Sequence, residues 1–308
     1  MKNAIITGAT SFIGVHLINE LLINDYYVTA VVRPNSHNIN RLPTNKRITV
    51  IELDTNDIKL LPNKVKDAQY EVFYHLSWDG VRATYRDDIL LQLNNYNNSI
   101  KAMQTANILK CNVFVGSGSQ AEYGKCLGKI TEEYIPNPLT EYGKAKLNTY
   151  EKLKSISENM NIKFIWTRLF SVYGIYDHEK TLVMSALKKL LNNEDLELTE
   201  CNQRWDYIQV EDVARAMYLL GTSDCESGIY NIASGNSKQL KEFVIDIKRI
   251  TNSKSQLKFG AINYGSEGVI SLEPAIDKLK RNIDWSCKVS FDDGITKLSK
   301  YLIQEGYL

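Results

Sequence analysis

Short apolar runs alternate with longer amphipathic segments over the first two-thirds of the chain. The short runs are rich in β-branched and aromatic residues, which favours strands, whereas the longer segments carry apolar residues at helical spacing. Such alternation is typical of βαβ units, in which helices cover both faces of a parallel sheet. The sequence therefore predicts an α/β fold with a doubly wound parallel sheet. The predicted strands are Asn3–Thr7, Tyr27–Val32, Ile48–Leu53, Val72–Leu76, Asn112–Gly116 and Phe164–Leu169, and the predicted helices are Phe12–Ile23, Ile89–Leu109 and Thr140–Glu158.

The alternation becomes irregular after Gly174. This part of the chain has too few elements for an independent domain, so we expect it to cover the ligand crevice of the sheet. Its predicted elements are a helix at Leu182–Leu191, strands at Leu196–Leu198 and Tyr207–Val210, a helix after Glu211, a strand in GIYNIAS, a helix at Leu240–Ile250, a strand in QLKF and a closing helix from about Phe291.

The composition excludes several classes of protein. The 308 residues carry a formal net charge of +1, and the basic residues are scattered, which argues against binding to nucleic acid or to a membrane surface. The five cysteines are widely spaced and form no CxxC, so neither a disulfide framework nor a metal site is predicted. The first residues begin a strand rather than a signal peptide, and no apolar stretch reaches the roughly 20 residues that cross a bilayer. We therefore expect a cytoplasmic protein.

The first predicted turn from strand to helix lies in the segment ITGATSFIG. Gly8 and Gly14 allow the backbone to approach a pyrophosphate, and the amides at the start of the helix face its negative charge. Ser11 occupies the place where a second glycine often stands, and it is tolerated if its φ is negative. Glycine-rich turns after strands are often only turns, but the position between a first strand and a first helix favours a nucleotide. We therefore predict that the turn, with Phe12 and Ile13, binds a dinucleotide.

The second predicted strand ends in AVVRPNS, which places Arg33 where a carboxylate would otherwise bind the adenosine ribose. An arginine at this point suits the 2′-phosphate of NADP, and the alternative is a surface arginine in a loop. Asp54 and Thr55 follow the third strand and are predicted to contact the adenosine. Asp54 can accept a hydrogen bond from the adenine amino group or, as the alternative, cap a turn. NADP is therefore the predicted cofactor, with NAD as the alternative.

The segment FVGSGSQAEYG begins as a buried strand and places Ser119 just past the predicted strand end. Parallel sheets bind ligands at that edge. Further on, PLTEYGKAK places Tyr142 and Lys146 one turn apart on one face of a helix. Because an ammonium near a phenol favours the phenolate, we expect Lys146 to lower the pKa of Tyr142 from about 10. The three residues are predicted to be catalytic, with Tyr142 exchanging a proton with a substrate oxygen that Ser119 hydrogen-bonds.

The chain resembles the extended short-chain dehydrogenases/reductases that act on nucleotide sugars, over nearly its whole length from Asn3 to about Trp285. Several independent motifs in the same order carry this resemblance. They are TGATSFIG, YHLS (Tyr74–Ser77), the helix that contains Asn95, GSGSQAEYG, PLTEYGKAK, RLFSVYG (Arg168–Gly174), DYIQVEDVA (Asp206–Ala214), IYNIASG (Ile229–Gly235) and IDW (Ile283–Trp285).

The resemblance implies an NAD(P)-binding Rossmann domain and a small C-terminal substrate-binding lobe. We expect the Rossmann domain at residues 1–174, with 205–235 returning to it, and the lobe at 175–204 and 236–308. In the family, the helices that correspond to those with Asn95 and Tyr142 pair across a two-fold axis, which implies a homodimer.

The resemblance also implies roles for single residues. Ser119, Tyr142 and Lys146 match the Ser–Tyr–Lys triad of the family. Leu76 and Ser77 are expected to line the cofactor crossing, and Leu169 is expected to lie beside the nicotinamide.

The residues after Ser119 restrict the reaction. Dehydratases of the family usually carry an Asp-Glu pair there, where this chain has Gln120 and Ala121, and neither side chain can transfer a proton. Glu122 lies one place further and is not expected to replace them. Arg33 favours a reductase, because a reductase consumes NADPH whereas an epimerase keeps its cofactor and generally uses NAD. We therefore predict an NADP-dependent reductase of a nucleotide-linked 4-keto-6-deoxyhexose. A nucleotide-sugar epimerase is the alternative, and a non-catalytic NADP-sensing protein is a more remote one.

Five residues are predicted to contact the nucleotide-sugar substrate. Ser171 replaces the frequent asparagine after RLF, so its contact with the sugar or phosphate is expected to differ. Trp205 stands directly before DYIQV, where the family has arginine, and it displaces Arg204 by one place. Arg204 can reach a substrate diphosphate or, as the alternative, lie at the surface beside a packed tryptophan. The predicted substrate contacts are Trp78, Ser119, Gln120, Ser171 and Arg204; Arg82, Tyr85 and Arg86 border the same pocket if the segment HLSWDGVRATYR faces the sugar rather than packing.

Overall fold

The computed structural model describes residues 2–65, 69–82, 85–265 and 268–306. The strands are β1 (Asn3–Thr7), β2 (Tyr27–Val32), β3 (Ile48–Glu52), β4 (Val72–His75), β5 (Val113–Ser119), β6 (Lys129–Ile130), β7 (Lys163–Leu169), β8 (Val172–Tyr173), β9 (Leu196–Glu197), β10 (Arg204–Trp205), β11 (Ile208–Gln209), β12 (Gly228–Ile232), β13 (Lys238–Gln239), β14 (Leu257–Lys258) and β15 (Glu273–Pro274). The helices are α1 (Phe12–Ile23), α2 (Ile89–Ile108), α3 (Glu141–Met160), α4 (Leu182–Leu191), α5 (Val210–Thr222), α6 (Leu240–Ile250), α7 (Asp277–Asn282) and α8 (Phe291–Gln304).

Seven of these strands form one parallel sheet in the order β12-β7-β5-β4-β1-β2-β3. The predicted α/β fold with a doubly wound parallel sheet is therefore confirmed. Helices α1 and α5 pack against one face, where Leu17 and Met217 are buried with alternate residues of the strands. Helices α2 and α3 cover the other face, where Met103 and Leu153 are buried. Because both faces are covered, the strands read as continuous apolar runs in the sequence.

Most predicted elements begin and end within two residues of the observed ones. The end of β5 is the main correction, because this strand was expected to end at Gly116 and instead continues to Ser119. It continues because Ser117, Gly118 and Ser119 pair with the last residues of β7. The short strands β6, β8, β10, β13 and β15 and the short helix α7 were not predicted, since two to six residues carry too little periodicity.

The order of the strands creates a crevice beside β1. The chain builds β1, β2 and β3 in one direction and then returns to place β4 on the other side of β1. At such a reversal the connections leave the sheet in opposite directions, which opens a crevice at the carboxyl ends of the strands. Ligands of doubly wound folds bind in that crevice.

A third group of buried apolar residues lies outside the large sheet. It is formed mainly by α4, α6 and α8, with Leu187, Val244 and Leu298 at its centre. The short pairs β10·β13 and β9·β14 join segments of this region. Residues 228–232, in contrast, return to the large sheet as β12.

Within the described parts of the chain, no helix combines the length and the apolar character that crossing a membrane requires.

Candidate active site

The glycines of the first turn are required by close backbone contacts. Gly8 has a φ of 68°, and a Cβ at this position would lie 2.9 Å from the Leu76 carbonyl carbon and the Ser77 nitrogen. A Cβ at Gly14 would lie 2.3 Å from the Gly8 oxygen. Ser11, with a φ of −71°, begins α1 as its N-cap, and its Oγ accepts a hydrogen bond from Gly14 N. The first amides of a helix have no partner inside the helix, so the turn has the backbone geometry that the predicted pyrophosphate contact requires.

A cavity of about 1160 Å³ lies along the carboxyl ends of the strands. It extends from the first turn to the triad, and most of the predicted site residues line it. Those at the end next to the first turn are Gly8, Ser11, Phe12, Ile13, Arg33, Thr55, Leu76 and Ser77. Those at the reactive end are Trp78, Ser119, Gln120, Tyr142, Lys146, Leu169 and Ser171.

Three predicted residues do not line this cavity. Gly14 lies within the turn, where the absence of a side chain leaves room for the Gly8 oxygen. Asp54 caps the 3-10 helix Thr55–Asn63, and its Oδ1 accepts a hydrogen bond from Asn56 N at 2.8 Å, as the capping alternative predicts. Arg204 is half exposed and pairs with Glu273 at 3.2 Å, so it lies at the surface as its alternative predicts.

Arg33 lines the cavity at the end of β2. Its Nη1 is 3.3 Å from Asp79 Oδ1, so this side chain connects the end of β2 with the loop after β4. Ser36 and Arg41 line the same end, and the Ser36 hydroxyl lies 3.1 Å from the Thr10 hydroxyl. Arg33, Ser36 and Arg41 thus supply hydrogen-bond donors of the kinds that bind a phosphate to this end of the cavity.

Ser119 and Tyr142 meet at the reactive end. Ser119 is buried, and its Oγ accepts a hydrogen bond from Ala121 N at 3.2 Å, which leaves the hydroxyl proton available for donation. Thr140 begins α3 as its N-cap, and the second residue of the helix, Tyr142, is 7 % exposed. Both side chains line the same end of the cavity, and the Ser119 hydroxyl acts to lower the pKa of the Tyr142 phenol. The fold therefore brings these two residues to one place.

Burial dominates the pKa of Tyr142. Removal of the phenol from water raises the pKa above its ordinary value, and the hydrogen bond to Ser119 and the charge of Arg86 offset this only in part. The prediction that Lys146 lowers this pKa is wrong for the structure. The Lys146 Nζ lies 5.8 Å from the centre of the Tyr142 ring, and its own charge is weakened by burial. The phenol is therefore protonated at neutral pH.

Lys146 is held in a pocket of aromatic and backbone groups. Its Nζ donates a hydrogen bond to Ser117 O at 2.6 Å and lies 3.6 Å from the centre of the Trp78 ring. Burial lowers its pKa to about 7, and the charge of Glu122 opposes this shift. The ammonium therefore loses its proton near neutral pH.

Two of the predicted substrate residues also have structural partners. Trp78 Nε1 donates to Gln92 Oε1 at 2.9 Å, and its ring stands edge-on to Tyr142. Gln120 Oε1 accepts from Ser171 N at 3.2 Å, which ties the end of β5 to the segment after β7. Both still border the cavity, so packing and substrate contact are compatible here.

Part of the segment HLSWDGVRATYR borders the reactive end of the cavity. Arg82 and Tyr85 line the cavity, and the Arg86 guanidinium lies 5.1 Å from the centre of the Tyr142 ring. Ala83 and Thr84 lie outside the described residues.

The sequence did not predict the residues that enclose the end of the cavity next to Arg33. Asp79 lies beside Arg33, and Arg41 stacks on Tyr176 at 4.8 Å from the ring centre. His178 and Lys180, from the loop before α4, complete the wall. No local pattern marks them, because the tertiary fold alone brings this loop over the end of β2.

Known proteins resemble this chain over most of its length. The CDP-abequose synthase of Salmonella muenchen is 26 % identical, with 96 % of this chain and 97 % of that protein covered. The dTDP-4-dehydro-6-deoxyglucose reductase of Escherichia coli is 28 % identical over 61 % of this chain and 60 % of that protein. Among solved structures, the UDP-glucose 4-epimerase of Thermus thermophilus in complex with NAD is 18 % identical, with a TM-score of 0.85 over 98 % of this chain and 99 % of that one.

The family model described as "NAD dependent epimerase/dehydratase family" matches residues 4–233. This range contains the first turn, the strand-end serine and the tyrosine–lysine pair of α3, and it covers more than half of the chain. The protein therefore belongs to the NAD-dependent epimerase/dehydratase family, as its motifs predict.

Proposed function

We propose that the protein is an NADP-dependent reductase of a nucleotide-linked 4-keto-6-deoxyhexose. The observation that carries this proposal is the meeting of Ser119 and Tyr142 at one end of a cavity whose other end is the glycine turn. Two relatives bear names consistent with it, a CDP-abequose synthase and a dTDP-4-dehydro-6-deoxyglucose reductase.

The residues next to the triad support reduction rather than dehydration. Gln120 and Ala121 occupy the places where dehydration would require proton-transferring carboxylates. The Gln120 side chain is engaged with the Ser171 backbone, which is a structural task. Glu122 points away into the interior and is completely buried, so it is not available to a substrate.

The protonated state of Tyr142 suits a reductase. Bound NADPH would supply the hydride that the keto carbon requires. As negative charge develops on the keto oxygen, Tyr142 donates its phenolic proton, and the Ser119 hydroxyl donates a hydrogen bond to the same oxygen. The positive charge of Arg86 near the Tyr142 ring stabilises the phenolate that remains.

Arg33, Ser36 and Arg41 support NADP as the cofactor. We propose that Arg33 exchanges its contact with Asp79 for the 2′-phosphate, while the turn from Gly8 to Gly14 holds the pyrophosphate. Leu76, Ser77 and Leu169 line the cavity between these groups and the triad, where the rest of a dinucleotide would lie.

We also propose that residues 175–204 and 236–308 form the substrate-binding lobe, with 1–174 and 205–235 as the Rossmann domain. His178, Met184 and Leu302 line the cavity opposite the strands, which supports this division. The third group of buried apolar residues, around Leu187, supports it as well.

The proposal is tested with purified protein, NADPH or NADH, and a panel of nucleotide-linked 4-keto-6-deoxysugars. We expect stoichiometric loss of NADPH absorbance with at least one sugar, and much slower oxidation of NADH. Equal rates of oxidation of NADPH and NADH would contradict the proposed role of Arg33 in selecting NADP.

A nucleotide-sugar epimerase is the second candidate, because the structural neighbours include a UDP-glucose 4-epimerase in complex with NAD and the same triad serves either reaction. Its signature in a parallel panel of nucleotide sugars is interconversion of epimers without net consumption of cofactor. That result would replace the reductase proposal.

A further inference from the structure

Glu122 is a buried carboxylate that lies three residues after Ser119 in the chain. It is the last residue of the short 3-10 turn that follows β5, and its side chain is 0 % exposed. Its Oε1 accepts a hydrogen bond from Ser119 N at 2.8 Å. The Ser119 hydroxyl in turn accepts a hydrogen bond from the backbone amide of Ala121. Each of the two side chains therefore bonds a backbone amide of the turn, and together they hold the turn in place.

Two side chains of β7 hold the Glu122 carboxylate in place. Trp166 Nε1 lies 3.0 Å and 3.1 Å from its two oxygens, and Arg168 Nε donates to Oε2 at 2.8 Å. Strand β7 pairs with β5, so these contacts tie the carboxylate to the neighbouring strand. The orientation of Glu122 is therefore determined by three donors from two strands.

The glycines of the GSGS segment provide the space for this arrangement. A Cβ at Gly118 would lie 2.4 Å from Trp166 Nε1 and 2.7 Å from Glu122 Oε1. A Cβ at Gly116 would lie 2.6 Å from Trp166 Cε3. The alternation of glycine and serine in this strand thus places the indole and the carboxylate on one face of β5.

The charge of Glu122 has one ion-pair partner among the described residues, the guanidinium of Arg168. Arg168 is itself buried, and its Nη1 and Nη2 have no hydrogen-bond partner in the described structure. Lys146 is close to this carboxylate, because its Nζ lies 5.9 Å from the centre of the Trp166 ring, whose Nε1 donates to Glu122. The charge of Glu122 also raises the pKa of Lys146 against the effect of burial.

We propose that Glu122 is a positioning residue of the active site. Its carboxylate holds the Ser119 backbone so that the hydroxyl meets Tyr142, and it supplies the negative charge that faces Lys146. The effect on turnover rests on the proposed function, whereas the effects on Ser119 and Lys146 do not.

The variants Glu122→Asp and Glu122→Gln separate the two roles. Aspartate keeps the charge for Arg168 but shortens the reach to Ser119 N, so we expect amide deuterium exchange at Ser119 to become about tenfold faster, the factor of one net hydrogen bond. Exchange at the wild-type rate would overturn the positioning role. Because Glu122→Asp retains a carboxylate, the buried guanidinium of Arg168 still has an anionic partner in this variant.

Glutamine keeps an oxygen for Ser119 N and removes the charge. In protein labelled with ¹³C-lysine, assigned with Lys146→Arg, we expect the pKa of Lys146 to fall below its value of about 7. The other groups that face this site, His75, Tyr142 and Arg86, are the same in both proteins. An unchanged Lys146 titration would overturn the electrostatic role.

The matched control is Glu132→Gln. Glu132 is also a buried glutamate and accepts a backbone hydrogen bond, from Asn231 N at 2.9 Å, but it has no contact with Ser119. We expect this variant to keep the Ser119 exchange rate and the Lys146 titration of the wild type. If it changes both as Glu122→Asp and Glu122→Gln do, general loosening of the fold explains the data and the proposal fails.

With a substrate from the panel, Glu122→Asp is expected to lower kcat about 100-fold, the loss that follows misplacement of one oxygen-stabilising donor, with KM for NADPH unchanged. An unchanged kcat would contradict the inference alone. If no sugar is turned over by the wild type, the proposed function fails, and the exchange and titration experiments still decide the role of Glu122.

Discussion

Tyr142 and Lys146 lie one helical turn apart on α3, and both are almost completely buried. Burial disfavours the charged form of each, so it raises the pKa of the phenol and lowers that of the amine to about 7. A tyrosine that is protonated at neutral pH is ready to donate. The residue-scale chemistry therefore favours the direction in which a substrate oxygen gains a proton.

Replacing Tyr142 with phenylalanine tests this assignment. The variant keeps the ring that packs against Trp78 and Arg86 and loses only the proton donor. We expect kcat with the best sugar of the panel to fall by at least about 100-fold, the usual contribution of a general acid, with NADPH affinity nearly unchanged.

Stopped-flow kinetics and fluorescence titration of NADPH measure the two quantities. Tyr134→Phe is the control, because the Tyr134 hydroxyl accepts a hydrogen bond from Leu127 N and does not line the cavity. Turnover retained by Tyr142→Phe would contradict the proton-donor role.

Strand β5 shows how an element adapts to the site it carries. Its last residues pair with β7, and the glycines between its serines leave one face open for Trp166 and Glu122. Glycine in a strand weakens it, since it adds no side chain to the packing. In β5 the glycines are nevertheless required, because larger residues would displace Trp166 and Glu122, which hold Ser119.

Gly118→Ala is expected to destabilise the protein by about 1–3 kcal/mol, the range for overpacking a filled interior. The new methyl group would meet Trp166 Nε1 at 2.4 Å and the Glu122 carboxylate at 2.7 Å. Urea unfolding measures the change. Gly265→Ala is the matched control, because a Cβ there has no neighbour within 4 Å. Equal stability of the two variants would show that the face of β5 is not filled.

On the scale of the whole molecule, α2 and α3 present a surface that the chain itself leaves uncovered. Ile89, Leu90 and Leu93 on α2 are exposed, and Leu90 is 78 % exposed. A groove runs between α2 and α3, with Leu93 and Tyr96 in its wall. The homodimer that the family resemblance implies is a proposal that places this surface between two copies.

The double variant Leu90→Lys with Leu93→Lys is expected to convert a dimer into a monomer, because it buries two charges in the proposed interface. Sedimentation velocity measures the oligomeric state. Leu127→Lys is the control, since Leu127 is 91 % exposed and lies in a loop elsewhere on the surface. A wild type that sediments as a monomer would remove the proposal.

Much of the fold and of the candidate site could be predicted from the sequence because their signals are local. The βαβ alternation, the glycine turn and the Tyr142–Lys146 pair each occupy a short segment with its own spacing. Asp54 and Arg204 were harder, because a turn-capping carboxylate and a surface arginine have the same local sequence as ligand contacts. Asp79 and His178 carried no signal, since their place in the cavity depends on segments far away in the chain.

The sequence by itself determined the parallel sheet, the glycine turn between β1 and α1, and the choice of Ser119, Tyr142 and Lys146 as the proposed catalytic side chains, because periodicity and short spacing are properties of neighbouring residues. Tertiary structure alone decided the ionisation of Tyr142 and Lys146 and the contacts of Glu122. These depend on how much water and which charges surround a group, and both are set only when β5, β7 and α3 pack together.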